Sequence, residues 1–572
     1  MRGKNELMIS FILLMLTVSV FGDNTTTVQT RLGNVTGISS SINVNNMMYG
    51  YSLYKNIPYA KPPTGNLRFM EPVAYGTWGD TLDGTEFGPS CIQIPASITY
   101  KYLPNRNQSE DCLSLNIYVP ANSPSSNKKS VMIWIHGGGY STGQAMLYDG
   151  SYLAAYGDVI VVTINYRLEV FGFFSTNDGV APGNYGLWDQ KLAIQWVHDN
   201  IDSFGGDSQS VTIFGQSAGG FSVALQAINP NNTGLFQRVI AQSGVSNTLL
   251  ATSPMPRLTA QKLVTLLNCS VQLTAETISC LQNKAADEIQ HAYATLVAQR
   301  VTTPDAYIFI DFGPVVDGKF LIDTPQNIIS GKGKAFNFYK SLDVIIGDCE
   351  SEGSLLVGQL ALSKYNVSAG IPSKYLCEQI IPTLSTDYYQ NNTRITPVIC
   401  NRYTSNGSVV EQSRNAVNFY GDIFMYSPAV QSLNAHAIQN RQSHFQYLSK
   451  RLSIWSVSQK MAPWFIGAGH ASELAFLFPF SPLSNATDGD RSYSIILMKY
   501  WSNFAKTGYV YVYSNIHTHQ LILLLKPLLT CHTIVFLVNY TYVDLCHRFI
   551  ISVLLLLAYG IFTVTRYELR SS

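Results

Sequence analysis

The segment that most constrains this chain is Ser210–Gly220, "SVTIFGQSAGG". Ser210–Phe214 is a short apolar run rich in β-branched residues, the pattern of a buried strand. After it, "AGGFSVALQAI" carries Phe221, Leu225 and Ile228 at helical spacing. A strand, a tight turn and a helix are therefore expected, with Ser217 on the turn and a glycine two residues to either side. Side chains at Gly215 and Gly219 would collide with the strand and helix that the turn joins. The bend lifts one hydroxyl clear of a sheet edge, the arrangement of a nucleophile elbow. Gly139–Gly143, "GYSTG", repeats the spacing around Ser141. The strand-like run Val131–Ile135 precedes it, but a glycine-rich loop follows and no helix start is visible. Ser141 is read as a chance copy. The adjoining "HGGG", His136–Gly139, is the type of segment that supplies backbone N–H groups to an oxyanion hole.

A serine hydroxyl becomes a useful nucleophile when a base takes its proton and an acidic group orients that base. With a nucleophile elbow the chain order is serine, acid, histidine. His470 lies in "GAGHASELAFLF", behind small residues that leave a loop free to reach the sheet edge. For the acid, "DVIIGDCESEGS" offers Asp348, Glu350 and Glu352 after the apolar run Val344–Ile346. The residues alone leave these three open.

At 572 residues the chain is long enough for more than one domain. Lys and Arg total 37 against 36 for Asp and Glu, which excludes the basic footprint of a nucleic-acid binder. Residues 1–22 combine Arg2 and Lys4 with an apolar run and small residues near Gly22, the build of a secretory signal peptide. Behind a signal peptide, the sequons at Asn24, Asn34, Asn107, Asn231, Asn268, Asn366, Asn391, Asn406, Asn485 and Asn539 become glycosylation candidates. In an oxidising compartment, the spacings Cys91/Cys112 and Cys269/Cys280 suggest local loop staples. Cys377 and Cys400 offer a third pair. Cys349, Cys531 and Cys546 stay unassigned, and no C-x-x-C or His/Cys cluster suggests a metal.

Several long strings resemble one family. "NIPYAKPPTGNLRF", "SEDCLSLNIYVP", "WIHGGGY", "NYRLEVFGFF", "GNYGLWDQKLAIQWVHDNIDSFGGDSQSVTIFGQSAGG", "GAGHASELAFLF" and "YWSNFAKTG" are similar to the type-B carboxylesterases, the cholinesterase-like branch of the α/β-hydrolases. The resemblance implies one large α/β domain over residues 23–508, built on a mixed central β-sheet with helices on both faces. It implies the disulfides Cys91–Cys112 and Cys269–Cys280. It places the acid directly before Gly-Ser, which selects Glu352 and makes Asp348 the runner-up. Gly138, Gly139 and Ala218 would form the oxyanion hole, and the pairs Arg68–Glu110 and Arg167–Asp189 would be structural salt bridges. No cofactor is implied.

The implied activity is hydrolysis of a small-molecule or lipid-like carboxylic ester by a secreted or surface serine esterase. Tyr102 and Gln216 stand where cholinesterases carry a choline-binding tryptophan and a glutamate. Both changes weaken the attraction for a quaternary ammonium. The same family includes neuroligin-like adhesion proteins that keep the fold and lose the chemistry. Ser217, Glu352 and His470 together favour the enzyme. Beyond Gly508 the resemblance stops, and residues 509–572 form an atypical apolar tail. Phe549–Thr565 is an uncharged run of 17 residues between Arg548 and Arg566. It reads equally as a short transmembrane anchor, with Arg566 and Arg570 inside, or as an aberrant coding end.

Overall fold

A computed structural model of the chain describes residues 25–94, 107–121, 127–301, 310–362, 365–388, 394–438, 442–451, 462–479, 483, 486–510 and 534–537. Residues 1–22 and 549–565, Tyr102, and the sequons at Asn24, Asn391, Asn485 and Asn539 lie outside them. The six remaining sequon asparagines are all exposed. No helix among the described residues is long and apolar enough to cross a membrane.

A twelve-stranded mixed sheet organises the described residues. Its antiparallel side holds β1 (Thr25–Gln29), β2 (Asn34–Val44) and β3 (Met47–Pro58), with the short β4 (Leu82–Asp83) against β2. A separate two-stranded piece, β5 (Ser90–Cys91) with β6 (Gln108–Ser109), sits at the base of the Cys91–Cys112 loop. The central strands are β7 (Ser114–Pro120), β8 (Lys129–Ile135), β9 (Ile160–Ile164), β10 (Gly206–Gln216), β11 (Arg238–Gln242), β12 (Asp343–Cys349) and β13 (His444–Ser449), with β14 (Ile534–Leu537) at the far edge. The spatial order is β1-β2-β3-β7-β9-β8-β10-β11-β12-β13-β14. From β9 to β14 every pairing is parallel. Parallel strands need crossover connections, and helices such as Tyr185–Asn200 and Ala218–Ala227 supply them.

The central strands are apolar on both faces because each face is covered. On β8, Val131, Ile133 and Ile135 enter one core while Met132 and Trp134 enter the other. The same alternation puts Val211 and Ile213 of β10 in the first core and Phe214 in the second. A period of two read across two layers of helices gives the near-continuous hydrophobic runs seen in the sequence. The large mixed sheet with flanking helices is the α/β architecture that the motifs led us to expect.

Local staples hold the loops around this frame. Cys91–Cys112 and Cys269–Cys280 are bonded, and Cys377–Cys400 joins them as a third bridge. Cys349 is a buried free thiol. Arg167–Asp189 (2.6 Å) is a buried ion pair, and Arg68–Glu110 (2.7 Å) is a partly buried one. Each arginine also donates to backbone carbonyls, so neither guanidinium is left unpaired away from water.

Candidate active site

Parallel strands end on a common edge, and loops at that edge are free to carry chemistry. Ser217 stands there, between the last residue of β10 and the helix Ala218–Ala227, with φ 57° and ψ −125°. Such a conformation is sparsely populated for a side chain larger than hydrogen, so packing must enforce it. The neighbouring glycines let that packing close in. A Cβ on Gly219 would lie 2.0 Å from the Ile135 carbonyl oxygen, and one on Gly215 would lie 2.5 Å from that of Gly219. The Ser217 N–H donates to the Gln242 carbonyl at 2.9 Å, and its own carbonyl accepts from Phe221 at 2.8 Å. Strand and helix thus grip the turn from both sides.

The loop after β8 wraps over the same turn. A Cβ on Gly137 would meet the Gln216 carbonyl at 2.3 Å, and Gly138 and Gly139 take φ values of 115° and 64°. The Gly138 carbonyl turns away to accept from the N–H groups of Ser141 and Thr142. Among the described residues, the N–H groups of Gly138, Gly139 and Ala218 donate to no other group of the chain. Three unpaired backbone donors beside a helix N-terminus favour a developing negative charge. The Ser141 hydroxyl is engaged locally with the Gly138 carbonyl at 3.2 Å.

Glu352 and His470 are 118 positions apart, yet their loops are sewn together. Ser351 and Gly469 form a parallel bridge, and the Ser354 hydroxyl accepts from the His470 N–H at 2.8 Å. His470 Nδ1 then lies 2.5 Å from Glu352 Oε2. The other oxygen, Oε1, accepts from the Ser243 hydroxyl at 2.5 Å and the Cys349 N–H at 2.6 Å. Glu352 is fully buried. A carboxylate can only accept, so the imidazole proton belongs on Nδ1 and the Nε2 lone pair is left for another donor. Ser217 does not take that place in the resting site. Gln216 Nε2 lies 3.1 Å from His470 Nε2, and no hydrogen bond joins Ser217 Oγ to the ring among the described residues. Contacts of this kind often tighten only when substrate is bound.

The two other acidic candidates lie elsewhere. Glu350 faces Lys450 across 3.8 Å in a half-buried pair. Asp348 is buried with neither carboxyl oxygen hydrogen-bonded. Burial pushes its carboxyl well above the usual range, and Glu352 and Glu473 add to the shift.

The residue pattern did not single out Ser243, Ser354 and Glu473. Glu473, three residues beyond His470, is buried, and burial raises its carboxyl too. It accepts from Cys349 Sγ at 2.8 Å and from Gln242 Nε2 at 3.1 Å. Burial biases Asp348 and Glu473 toward their neutral forms, and Glu352 is the acid in contact with the imidazole.

Glu169 is a second unusual acid. It has φ 51°, is 1% exposed, accepts from the Ile94 N–H at 2.8 Å, and leaves Oε2 unpaired. Its own N–H donates to the Tyr140 carbonyl at 2.8 Å. It thereby ties the stem of the Cys91–Cys112 loop to the oxyanion loop. Burial pushes its carboxyl up to about 8, the Ile94 N–H opposes the shift, and Asp311 adds to it. The folded state binds this proton more tightly than the unfolded chain. The associated stability is therefore complete below the ordinary value of 4.5 and is lost as pH climbs through 8. Glu169→Gln keeps an acceptor for Ile94 and cannot ionise. Thermal unfolding across pH should show the variant and wild type converging in acid, with the variant ahead by about 5 kcal/mol in alkali. Parallel curves would contradict this account.

The mixed sheet, the strained serine turn at its edge, and the acid–imidazole pair and backbone N–H donors gathered beside that turn have the architecture of the α/β-hydrolase fold. Comparison with known proteins narrows the class. The model of the carboxylesterase family matches residues 24–518, and the chain belongs to that family. It is 35% identical over 506 residues to an acetylcholinesterase of Bungarus fasciatus, covering 84% of this chain and 78% of that one. It is 33% identical to a medium-chain fatty acyl-CoA hydrolase precursor of Anas platyrhynchos, covering 84% of each. Neuroligin-2 of Mus musculus is 34% identical, and the match spans 84% of this chain but 60% of the neuroligin.

Proposed function

We propose that the chain is an extracellular serine esterase that hydrolyses carboxylic esters through an acyl-enzyme. The observation that carries the reading is the 2.5 Å contact of His470 Nδ1 with Glu352, at the edge where Ser217 is held in its strained turn. In the first half-reaction Ser217 Oγ attacks the ester carbonyl while its proton passes to His470 Nε2. The carbonyl electron pair moves onto oxygen beneath the N–H groups of Gly138, Gly139 and Ala218. Collapse expels the alkoxide, which takes the proton from Nε2. Water repeats the sequence against the acyl-serine and releases the acid, with no cofactor.

Residues 1–22 act as a signal peptide in this reading, and the exposed sequons receive glycans. The neutral Gln216 beside the imidazole favours uncharged esters over quaternary ammonium ones. The similarity to neuroligin-2 supports a second reading, an adhesion protein on the same fold, which would have protein partners. Labelling of the full-length protein with a neutral aryl phosphonate separates the two. Wild type should label and should cleave a short-chain aryl ester, while Ser217→Ala should do neither. Equal labelling of both proteins removes Ser217 from the mechanism. A folded wild type inert to both reagents favours adhesion.

A further inference from the structure

His470 Nε2 has one lone pair in the neutral ring, and in the resting site Gln216 has it. The contact is 3.1 Å, Gln216 is 3% exposed, and its backbone is fixed in register against Gln242 of β11. The Gln216 carbonyl is also covered by Gly137 from the oxyanion loop. The carboxamide therefore hangs from the residue directly before the nucleophile and cannot drift away from the ring as a surface side chain would. The far side of the imidazole is equally constrained, since Glu352 holds Nδ1 and Ser354 holds the backbone N–H.

We propose that Gln216 is a positioning residue that holds the resting imidazole by Nε2 and competes with Ser217 Oγ for it. Acylation then begins with exchange of the Gln216 amide for the serine hydroxyl. This deepens the hydrolase reading and rests on it. A carboxamide is suited to the task because it is neutral and donates to Nε2 without transferring a proton to it. Its N–H donates to neutral Nε2 in the resting site and gives up that lone pair when the serine hydroxyl approaches. An imidazolium forms when the serine proton moves to Nε2 as the Oγ–carbon bond is made, and it disappears when the proton leaves with the alcohol. A carboxylate at 216 has no hydrogen to donate to the neutral ring, and alanine has no polar group to offer it.

The test uses the full chain labelled with 15N-histidine, with His470 assigned by its loss in His470→Gln. In Gln216→Ala and Gln216→Asn the Nε2 resonance should move toward that of an unbonded imidazole nitrogen while Nδ1 stays in place. In Ser217→Ala both should stay in place, because the serine is not the resting partner. Phosphonylation of Gln216→Ala should run about two- to tenfold faster than wild type, the factor that one neutral hydrogen bond contributes. An Nε2 signal that ignores Gln216→Ala or moves in Ser217→Ala overturns the proposal. Slower labelling of Gln216→Ala with Nδ1 unmoved overturns it as well. If the Nε2 pattern is as expected but no protein labels, the positioning role stands and the hydrolase reading falls.

Discussion

Glu352→Gln should lower kcat for a short-chain ester by about 10⁴ and leave the fold intact. A glutamine has one oxygen to offer where the glutamate offers two. Ser243 Oγ and the Cys349 N–H both donate to Oε1, so the amide oxygen belongs on that side. The amide NH₂ then faces His470 Nδ1, where wild type has Oε2 at 2.5 Å. Two donors cannot share that contact, and the ring responds by presenting a lone pair at Nδ1 and carrying its proton on Nε2. An imidazole protonated on Nε2 cannot take the serine proton, and a tautomer error of this kind lowers turnover by about 10⁴. Stability should change little, because the two structural donors keep their acceptor. Single-turnover measurement of acyl-enzyme formation, with thermal unfolding as control, checks both halves. A loss of less than tenfold in a folded protein would remove Glu352 from the role of orienting acid.

Gly219→Ala should yield no folded protein, or protein destabilised by more than about 4 kcal/mol, the range reached by overpacking against fixed backbone. The added Cβ would sit 2.0 Å from the Ile135 oxygen and 2.9 Å from the His136 carbonyl carbon. Both are backbone atoms at the end of β8, in the middle of the sheet, so no flexible side chain can give way. Relief requires moving either the nucleophile turn or the strand that pairs with β10 along Val211–Gly215. Gly358→Ala is the matched control. It lies in the helix Ser354–Leu362 and a Cβ there meets nothing within 4 Å. Alanine should therefore stabilise by up to about 1 kcal/mol through propensity alone. Soluble yield and thermal midpoints of the two variants make the comparison. Normal folding of Gly219→Ala would mean that the turn is not gripped as tightly as its geometry requires.

The features legible in the sequence were those written in consecutive residues. The β-branched run, the glycine-flanked serine and the helical spacing after it gave the elbow, since each is a local demand on backbone and packing. The expected strands at Ser210–Phe214, Val131–Ile135 and Val344–Ile346 fall within β10, β8 and β12, which extend further at one or both ends. Strand ends are set by neighbouring strands, so a single apolar run marks only the buried middle. Glu169 was hidden for the opposite reason. Nothing in "NYRLEVFGFF" indicates that its glutamate turns inward with φ 51° to hold the stem of a distant loop.

Sequence by itself determined the layered α/β plan, the identity of the strained serine, and a short roster of acids and histidines from which a site could be drawn. Only the tertiary structure decided which of them meet, because Glu352 and His470 depend on loops joined by a bridge between Ser351 and Gly469. It also decided that the resting imidazole faces Gln216 and not Ser217. Adjacent residues on one turn face one lone pair, and which of them reaches it is set by side-chain placement that residue order does not encode.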